Sequence, residues 1–246
     1  MNCRKVALIS SLLLHIFLAQ MCSFRIPTGQ SFQKNKDADS SKTYLQYLLY
    51  LPKHYYDDNA KKWPLIVFLQ HYGAEGTNID LVRGSALPKR LEKDDELPFI
   101  VVSPQALLKQ LWEPKLIKSF VESICDKYQV DRNRIYLTGA STGGTATWAT
   151  AIQYPDLFAA IVPVCANRYS TSYDENAKKI AHIPIWVFHG ALDKTFETEV
   201  SIKMVNALQK AGANVRFTLY PDLGHACWNR VYYETELYEW LLRQSK

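Results

Sequence analysis

A serine, an aspartate and a histidine each follow a separate apolar run of this chain, and together they could perform nucleophilic chemistry. Ser141 lies in the turn GASTGG, Asp193 in FHGALDKTF and His225 in PDLGHACW. A serine hydroxyl is a weak nucleophile near neutral pH and needs a histidine base. The histidine in turn needs a carboxylate that holds its tautomer and stabilises the imidazolium. These three residues are therefore the candidate nucleophile, acid and base of an acyl-transfer site.

The turn around Ser141 has the composition of a tight connection between a strand and a helix. Gly139 and Gly143 lack a Cβ atom, so the strand and the helix can pass close together while the serine is held in an exposed turn. The N-terminus of a helix favours negative charge through its free N–H groups, and the backbone N–H of Thr142 is therefore a candidate oxyanion donor. A second donor is expected from the loop QHYGAEGTN, which follows the apolar run LIVFL.

Other histidines and aspartates compete with these assignments. Asp222 lies close to His225 in the turn YPDLGH, but aspartate is common in turns, so we favour Asp193 as the acid. His71 and His189 lie near the same predicted sheet edge and are interpreted as packing or loop-ordering residues. No group of His, Cys, Asp and Glu shows the sequence spacing of metal ligands, and the predicted chemistry needs no cofactor.

Short apolar runs alternate with helical patterns along most of the chain. The runs are typical of strands buried on both faces, and their alternation with helices predicts an α/β fold with a mostly parallel sheet covered on both faces. In such sheets catalytic residues gather at the carboxyl ends of the strands, where the candidate serine, aspartate and histidine would lie. Predicted strands include Tyr44–Pro52, Trp63–Gln70 and Pro98–Gln105, and predicted helices include Leu116–Tyr128 and Glu199–Ala213.

The N-terminal residues differ in composition from the rest of the chain. Two basic residues precede VALISSLLLHIFLA, a run with the length of the apolar region of a secretory signal and too short to span a bilayer comfortably. We predict a signal peptide over residues 1–19, with a buried N-terminal helix as the alternative. Residues 20–42 are polar and are interpreted as a leader, and residues 43–246 as one catalytic domain. The mature protein is expected to be secreted or periplasmic, without stable membrane insertion.

Composition and charge are those of a soluble globular protein. Of 246 residues, 48% are hydrophobic and 22% charged, and the length suits one large domain. The net charge is +5, and removal of Arg4 and Lys5 with the signal leaves +3. The remaining basic residues are interleaved with acids, as in KRLEKDDE, which indicates a solvated face and excludes a nucleic-acid partner from our prediction.

The five cysteines leave two questions open. Cys3 would be removed with the signal, and Cys22 is the position at which a lipid anchor is the alternative to a freely secreted chain. Cys125, Cys165 and Cys227 remain in the domain. In an exported protein, one disulfide among these three is possible, and three buried thiols are the alternative.

Several motifs together resemble a known family. RIYLTGASTGG, WVFHGALD, GHACW and LYEWLL resemble the secreted esterase and "predicted peptidase" group of the α/β-hydrolase superfamily. That group is related to dienelactone hydrolases, to the prolyl oligopeptidase catalytic domain and to feruloyl-esterase-like carbohydrate esterases. The resemblance spans about Tyr44 to Gln244. It implies an α/β-hydrolase fold with Ser141 as nucleophile, Asp193 as acid and His225 as base, in the chain order of that superfamily.

The chain departs from this group in the loop expected to supply the second oxyanion donor. Related sequences carry His-Gly-x-Gly-Glu-Arg-Gly there, whereas this chain has HYGAEG, so the donor would be the N–H of Tyr72 or Gly73. A second departure, ANRYSTSYDEN after VPVC, predicts an altered wall beside the site. No insertion is long enough for a large lid domain, and Trp112 and Trp228 are candidate substrate-binding residues. Trp148 is interpreted as core.

These patterns predict a serine esterase that acts through an acyl-enzyme. By resemblance, the expected substrates are acetyl or feruloyl esters on polysaccharide. A serine peptidase acting on short peptides is one alternative. A hydrolase fold that only binds its ligand, without catalysis, is the other.

Overall fold

A computed structural model describes residues 25–34, 46–93, 96–109, 112–167 and 169–246. It contains an eight-stranded sheet with the spatial order β1-β2-β4-β3-β5-β6-β7-β8. The predicted signal peptide and Cys22 lie outside the described residues. The strands are β1 (Gly29–Lys34), β2 (Gln46–Leu51), β3 (Trp63–Leu69), β4 (Ile100–Pro104), β5 (Val130–Ala140), β6 (Ala160–Val164), β7 (Ile185–Gly190) and β8 (Val215–Tyr220).

The sheet is mostly parallel. Strands β3 to β8 run in the same direction, while β1 pairs antiparallel with β2 and β2 pairs antiparallel with β4. The carboxyl ends of the parallel strands therefore lie along one edge of the sheet. This arrangement confirms the α/β fold class predicted from the sequence.

Helices connect the parallel strands and cover the sheet. Besides a 3₁₀ turn at Tyr72–Ala74, they are α1 (Asp80–Arg83), α2 (Ala86–Leu91), α3 (Pro114–Lys127), α4 (Thr142–Gln153), α5 (Tyr173–Ile180), α6 (Thr198–Lys210), α7 (Trp228–Val231) and α8 (Thr235–Leu242). The longer helices agree in position with the helical patterns of the sequence.

The core has two layers, one on each face of the sheet. Strand β3, WPLIVFL, is buried along its whole length, and its side chains alternate between the two layers. Leu65 and Val67 pack into one cluster with apolar residues of α3, α4 and α6. Ile66 and Phe68 pack into the other with α2, α7 and α8. Burial on both faces explains why the sequence shows continuous apolar runs rather than alternation.

The predicted leader contains an element that the sequence pattern did not indicate. Residues Gly29–Lys34 form β1, the edge strand, paired along its length with β2. This corrects the predicted domain start at residue 43, since the sheet begins upstream of it. An edge strand has one pairing partner and contacts solvent, so the polar sequence GQSFQK is compatible with it. Because this sequence lacks an apolar run, it gave no sign of a strand.

The described cysteines are now assigned. Cys165 and Cys227 form a disulfide, and Cys125 is a free, buried thiol. The sequence left open one disulfide or three buried thiols, and the structure contains one disulfide. Among the described residues, no helix is long and apolar enough to cross a membrane.

Candidate active site

Ser141 occupies the turn between β5 and α4. Its backbone has φ 56° and ψ −116°, a positive φ that is uncommon for a residue with a Cβ. Such strained conformations persist where the surrounding structure over-determines them, and they cluster at functional sites. The N–H of Ser141 donates to the carbonyl of Val164 at 2.9 Å, and its carbonyl accepts the first helical hydrogen bond, from Thr145 at 3.0 Å.

Glycines allow the helix to begin directly against the sheet. A Cβ on Gly143 would lie 2.1 Å from the carbonyl oxygen of Leu69, the last residue of β3, and one on Gly139 would lie 2.4 Å from the backbone of Gly143. Both distances are shorter than any non-bonded contact. The tight turn predicted from GASTGG thus depends on the absence of side chains at these positions.

The structure brings the candidate serine and histidine into contact. Ser141 Oγ lies 2.8 Å from Nε2 of His225, and Nδ1 of His225 lies 2.7 Å from Oδ2 of Asp193. Since a carboxylate only accepts hydrogen bonds, Nδ1 carries the proton and Nε2 is left as the acceptor for the serine hydroxyl. The three residues come from the ends of β5, β7 and β8, as the chain order predicts.

The Asp193 carboxylate is fully buried and surrounded by donors. Its Oδ1 accepts from the N–H of Thr195 at 2.8 Å and of Phe196 at 2.9 Å. Burial on its own raises the pKa of Asp193, but the hydrogen bonds from His225 and from these two amides outweigh it and hold the pKa below its ordinary value. The carboxylate is therefore ionised at neutral pH, the state needed to stabilise an imidazolium.

The loop that carries His225 is fixed at several points. The N–H of Leu192 donates to the carbonyl of Leu223 at 2.9 Å, and a Cβ on Gly190 would lie 2.3 Å from the carbonyl oxygen of Gly224, so the Asp193 and His225 loops pack backbone to backbone. Cys227, two residues after the histidine, is bonded to Cys165 at the end of β6.

The alternative acid, Asp222, is engaged elsewhere. Both of its carboxylate oxygens accept from the guanidinium of Arg230, at 3.0 and 2.6 Å, on the protein surface. The structure therefore places Asp193, and not Asp222, on the imidazole of His225.

The two predicted oxyanion regions are the start of α4 and the 3₁₀ turn that follows β3. The N–H of Thr142 belongs to the first residue of α4, where backbone donors have no acceptor within the helix. In the HYGAEG loop, the N–H of Gly73 donates to Nδ1 of His71 at 3.1 Å, whereas no such bond occupies the N–H of Tyr72 among the described residues. Both N–H groups stay predicted oxyanion donors, and in this structure the N–H of Gly73 is the one bonded to His71.

Trp228 packs between two imidazoles. Its ring stacks on His71 at a centroid distance of 5.4 Å and meets His225 edge-to-face at 5.1 Å. Only 8% of Trp228 is exposed, and the residue also belongs to the apolar cluster formed with α2 and α8. Burial lowers the pKa of His71, and the positive charge that His225 can carry lowers it further, so His71 is neutral and serves as an acceptor for Gly73.

Trp112, the other predicted substrate-binding residue, lies at the base of the HYGAEG loop. Its Nε1–H donates to the carbonyl of Gln70 at 3.2 Å, and its ring packs partly buried against the core. Trp148 is 4% exposed and belongs to the core, as predicted.

Sequence reasoning missed Gln105, a residue that fixes the loop of the second donor. Its buried Nε2 donates to the carbonyls of Ala74 and Asn78, both at 2.8 Å. The signal was a glutamine directly after the buried strand IVVSP, where a buried polar side chain must find partners.

One group with metal-ligand geometry occurs among the described residues, although sequence spacing showed none. Ligand atoms of Cys165, His189 and Asp193 lie within 4.8 Å of one another. The Cys165 sulfur is in the disulfide, and Asp193 accepts from His225 and two amides, so these atoms are already engaged and do not fit a metal site.

Two of the relatives in sequence are esterases by name. The chain is 32% identical to a SOBER1-like carboxylesterase of Arabidopsis thaliana over 145 residues, which cover 54% of this chain and 52% of the relative. It is 26% identical to acetylxylan esterase A of Emericella nidulans over 173 residues, 63% of this chain and 54% of the relative. The chain thus spans about half the length of the curated relatives it matches.

Comparison with solved structures and family models places the chain in one family. The fold superposes on a thermostable esterase with a TM-score of 0.73 and 29% identity, over 89% of this chain and 64% of that one. The family model described as phospholipase/carboxylesterase matches residues 108–235, which include Ser141, Asp193 and His225. Since the match covers more than half of the chain, this α/β-hydrolase belongs to the phospholipase/carboxylesterase family.

Proposed function

We propose that the protein is a serine esterase that cleaves carboxylic esters through an acyl-enzyme on Ser141. The observation that carries the proposal is the continuous chain of contacts from Ser141 Oγ to His225 Nε2 at 2.8 Å and from His225 Nδ1 to Asp193 Oδ2 at 2.7 Å. These distances are within the reach of proton transfer between a nucleophile and its base.

The first half-reaction forms the acyl-enzyme. His225 Nε2 takes the hydroxyl proton as Ser141 Oγ attacks the ester carbonyl, and the developing oxyanion is held by the N–H groups of Thr142 and Tyr72. Loss of one such donor typically costs about 3 kcal/mol in the transition state. The intermediate then expels the alcohol, which receives the proton from His225.

Water completes the cycle. Activated by His225, it attacks the acyl carbon, the Ser141–acyl bond breaks, and the serine recovers its proton. Asp193 stays ionised throughout and stabilises the imidazolium of each step. Hydrolysis thus yields one alcohol and one carboxylic acid for each ester bond.

The substrate class proposed is an acetyl or feruloyl ester carried by a polysaccharide. The sequence similarity to acetylxylan esterase A and the resemblance of the motifs to feruloyl-esterase-like enzymes support it. Tyr72, with 60% of its surface exposed beside the site, and the edge of Trp228 are the aromatic groups offered to such a substrate.

We also propose that the protein is exported, with cleavage after residue 19. Disulfides persist mainly in oxidising compartments, and the Cys165–Cys227 bond supports this assignment. N-terminal sequencing of the protein recovered outside the cytoplasm is expected to begin at residue 20. A chain that retains its first residues, or a lipid on Cys22, would contradict this form of the proposal.

Hydrolysis rates on a substrate panel test the activity. Wild-type protein is expected to cleave p-nitrophenyl acetate, methyl ferulate and acetylated xylan, and Ser141→Ala to lose the activity by roughly 10⁴-fold or more. Asp222→Asn serves as a matched surface control with unchanged rates. Turnover of peptide anilides without turnover of any ester would overturn the esterase proposal in favour of a peptidase.

A further inference from the structure

A second histidine is buried at the site and takes no part in the proposed chemistry. His189 lies at the end of β7, four residues before Asp193, and is completely buried. A buried imidazole costs free energy unless its nitrogens are hydrogen-bonded. Its contacts therefore indicate what the position requires.

Both ring nitrogens of His189 have partners. Nε2 lies 3.1 Å from Oδ2 of Asp193 and 3.0 Å from the carbonyl oxygen of Phe196, while Nδ1 lies 2.8 Å from Oγ of Ser201. Two acceptors face Nε2, so the proton resides there, and the Ser201 hydroxyl donates to Nδ1. One N–H thus faces the carboxylate and the loop that follows it.

The same carboxylate oxygen is shared by two imidazoles. Oδ2 of Asp193 accepts from Nδ1 of His225 at 2.7 Å and lies 3.1 Å from Nε2 of His189. The Phe196 carbonyl held by His189 belongs to a residue whose ring packs edge-on against His225 at 5.0 Å. His189 therefore contacts two residues that contact the His225 ring. It contacts Asp193 through the carboxylate and Phe196 through its backbone carbonyl.

The charge state of His189 suits this position. Burial lowers its pKa most strongly, against opposing effects of the Phe196 carbonyl and Asp193, and a charged His225 lowers it further. The titratable groups facing it are Asp193 and His225, since Cys165 is in the disulfide. A neutral donor orients the carboxylate without a positive charge that would compete with the imidazolium of His225 for it.

We propose that His189 is a positioning residue, which holds Oδ2 of Asp193 and the Phe196 carbonyl so that His225 is aligned on Ser141. The inference rests on the proposed function. It extends the chain of contacts to Ser201, His189, Asp193, His225 and Ser141, in that order, with only the last three in the proposed chemistry.

The direct test compares two substitutions of this residue. His189→Leu removes the donor at similar volume and is expected to lower kcat by about 10- to 100-fold, with KM changed less than about twofold, because misalignment affects the reacting geometry rather than binding. His189→Gln keeps an amide N–H at similar reach and is expected to recover most of the loss. Ile183→Ala, which opens the core just before the same strand, controls for destabilisation alone.

Two readouts separate positioning from mere packing. With the His189 donor gone, Oδ2 of Asp193 interacts more strongly with His225, so the acid limb of the kcat/KM profile is expected to move to higher pH in His189→Leu and back in His189→Gln. The downfield proton resonance of the His225 Nδ1–H should shift in the same pattern. Ile183→Ala should change neither.

The outcomes are distinguishable from failure of the proposed function. A wild-type protein that hydrolyses no ester would remove the esterase proposal, while the proton resonance would still report on the alignment. Unchanged resonance and pH limb in His189→Leu, or equal impairment of the Leu and Gln variants, would overturn the positioning role. If His189→Leu does not fold, Ser201→Ala, expected to give a smaller change in the same direction, decides in its place.

Discussion

At the scale of single residues, the site is defined by which side chains donate and which accept hydrogen bonds. Asp193 is ionised and faces Nδ1 of His225, which fixes the imidazole tautomer and leaves Nε2 to accept the proton of Ser141. The second candidate, Asp222, is paired with Arg230 on the surface.

Replacement of the acid tests this assignment. Asp193→Asn keeps the shape of the side chain but replaces the acceptor by a group that can donate, which favours the wrong tautomer of His225. The expected loss in kcat is roughly 10³–10⁴-fold, measured at saturating ester. Asp222→Asn is the matched control and should retain the wild-type rate. A loss in the control as large as in Asp193→Asn would contradict the assignment.

At the scale of elements, the site depends on how closely α4 and the His225 loop approach the sheet. Glycines permit the approach on one side of the nucleophile, and the Cys165–Cys227 disulfide joins the end of β6 to the His225 loop on the other. Each of these features makes a prediction about stability as well as activity.

A methyl group at Gly143 should be poorly tolerated. Its Cβ would meet the backbone oxygen of Leu69 at 2.1 Å, and backbone cannot move aside as a flexible side chain can. We expect Gly143→Ala to lose about 2–3 kcal/mol of unfolding free energy in urea titration. Gly84→Ala, whose nearest atom would be 3.3 Å away at an exposed helix end, is the control and should change stability little. Equal stability of the two variants would be inconsistent with the described turn.

Removal of the disulfide should affect the same region. The bond closes a loop with a sequence separation of 62 residues, and its loss typically costs about 2–4 kcal/mol. We expect Cys165→Ser/Cys227→Ser to unfold at lower urea and to lose activity before global unfolding, because the His225 loop is released. Cys125→Ser, a buried free thiol, is the comparison. Wild-type urea stability in the double variant would show that the bond does not hold the loop.

At the scale of the whole molecule, two neutral histidines link stability to pH. Burial lowers the pKa of His189 and of His71 from their ordinary value of 6.5. Below that value the unfolded chain takes up protons that the folded chain refuses, so unfolding becomes more favourable as the pH falls. The pKa of Asp193 is also lowered, from 3.8. Its contribution to stability is complete above pH 3.8 and is lost as the pH falls below that value, which is a more acidic range than that of the two histidines.

The pH dependence of stability measures this linkage. The unfolding free energy of the wild type is expected to be level just above pH 6.5 and to decline below it, from urea titrations at pH 5 to 8. His189→Gln removes one of the two groups and should reduce the slope. An identical slope in that variant would show that His189 is not the neutral buried group described above.

The sequence predicted most of this architecture because its signals were local. The apolar run WPLIVFL and the amphipathic pattern of α3 each reflect burial that the residues themselves reveal. Strand β1 was missed because an edge strand leaves one side in solvent and its residues are polar. Local pattern does not determine which elements pair at long range.

The candidate site likewise contains residues that the sequence predicts and contacts that it does not. Ser141, Asp193 and His225 could be predicted from residue type and order after strands. The Cys165–Cys227 pairing, the contact of His189 with Asp193 and the hold of Gln105 on its loop depend on three-dimensional proximity. The proposal of Tyr72 rather than Gly73 as the second oxyanion donor rests on the His71 side chain, which accepts from the N–H of Gly73.

The central claim is that Ser141 is an activated nucleophile, and the most direct measurement is covalent labelling with a fluorophosphonate followed by peptide mapping. The wild type is expected to carry one adduct, on Ser141. The adduct should form rapidly at neutral pH and slowly at acidic pH, where the base of the reaction is protonated. Ser141→Ala should carry none, and Asp193→Asn should label slowly while Asp222→Asn labels at the wild-type rate. An unlabelled wild type, or an adduct on any other residue that persists in Ser141→Ala, would contradict the account.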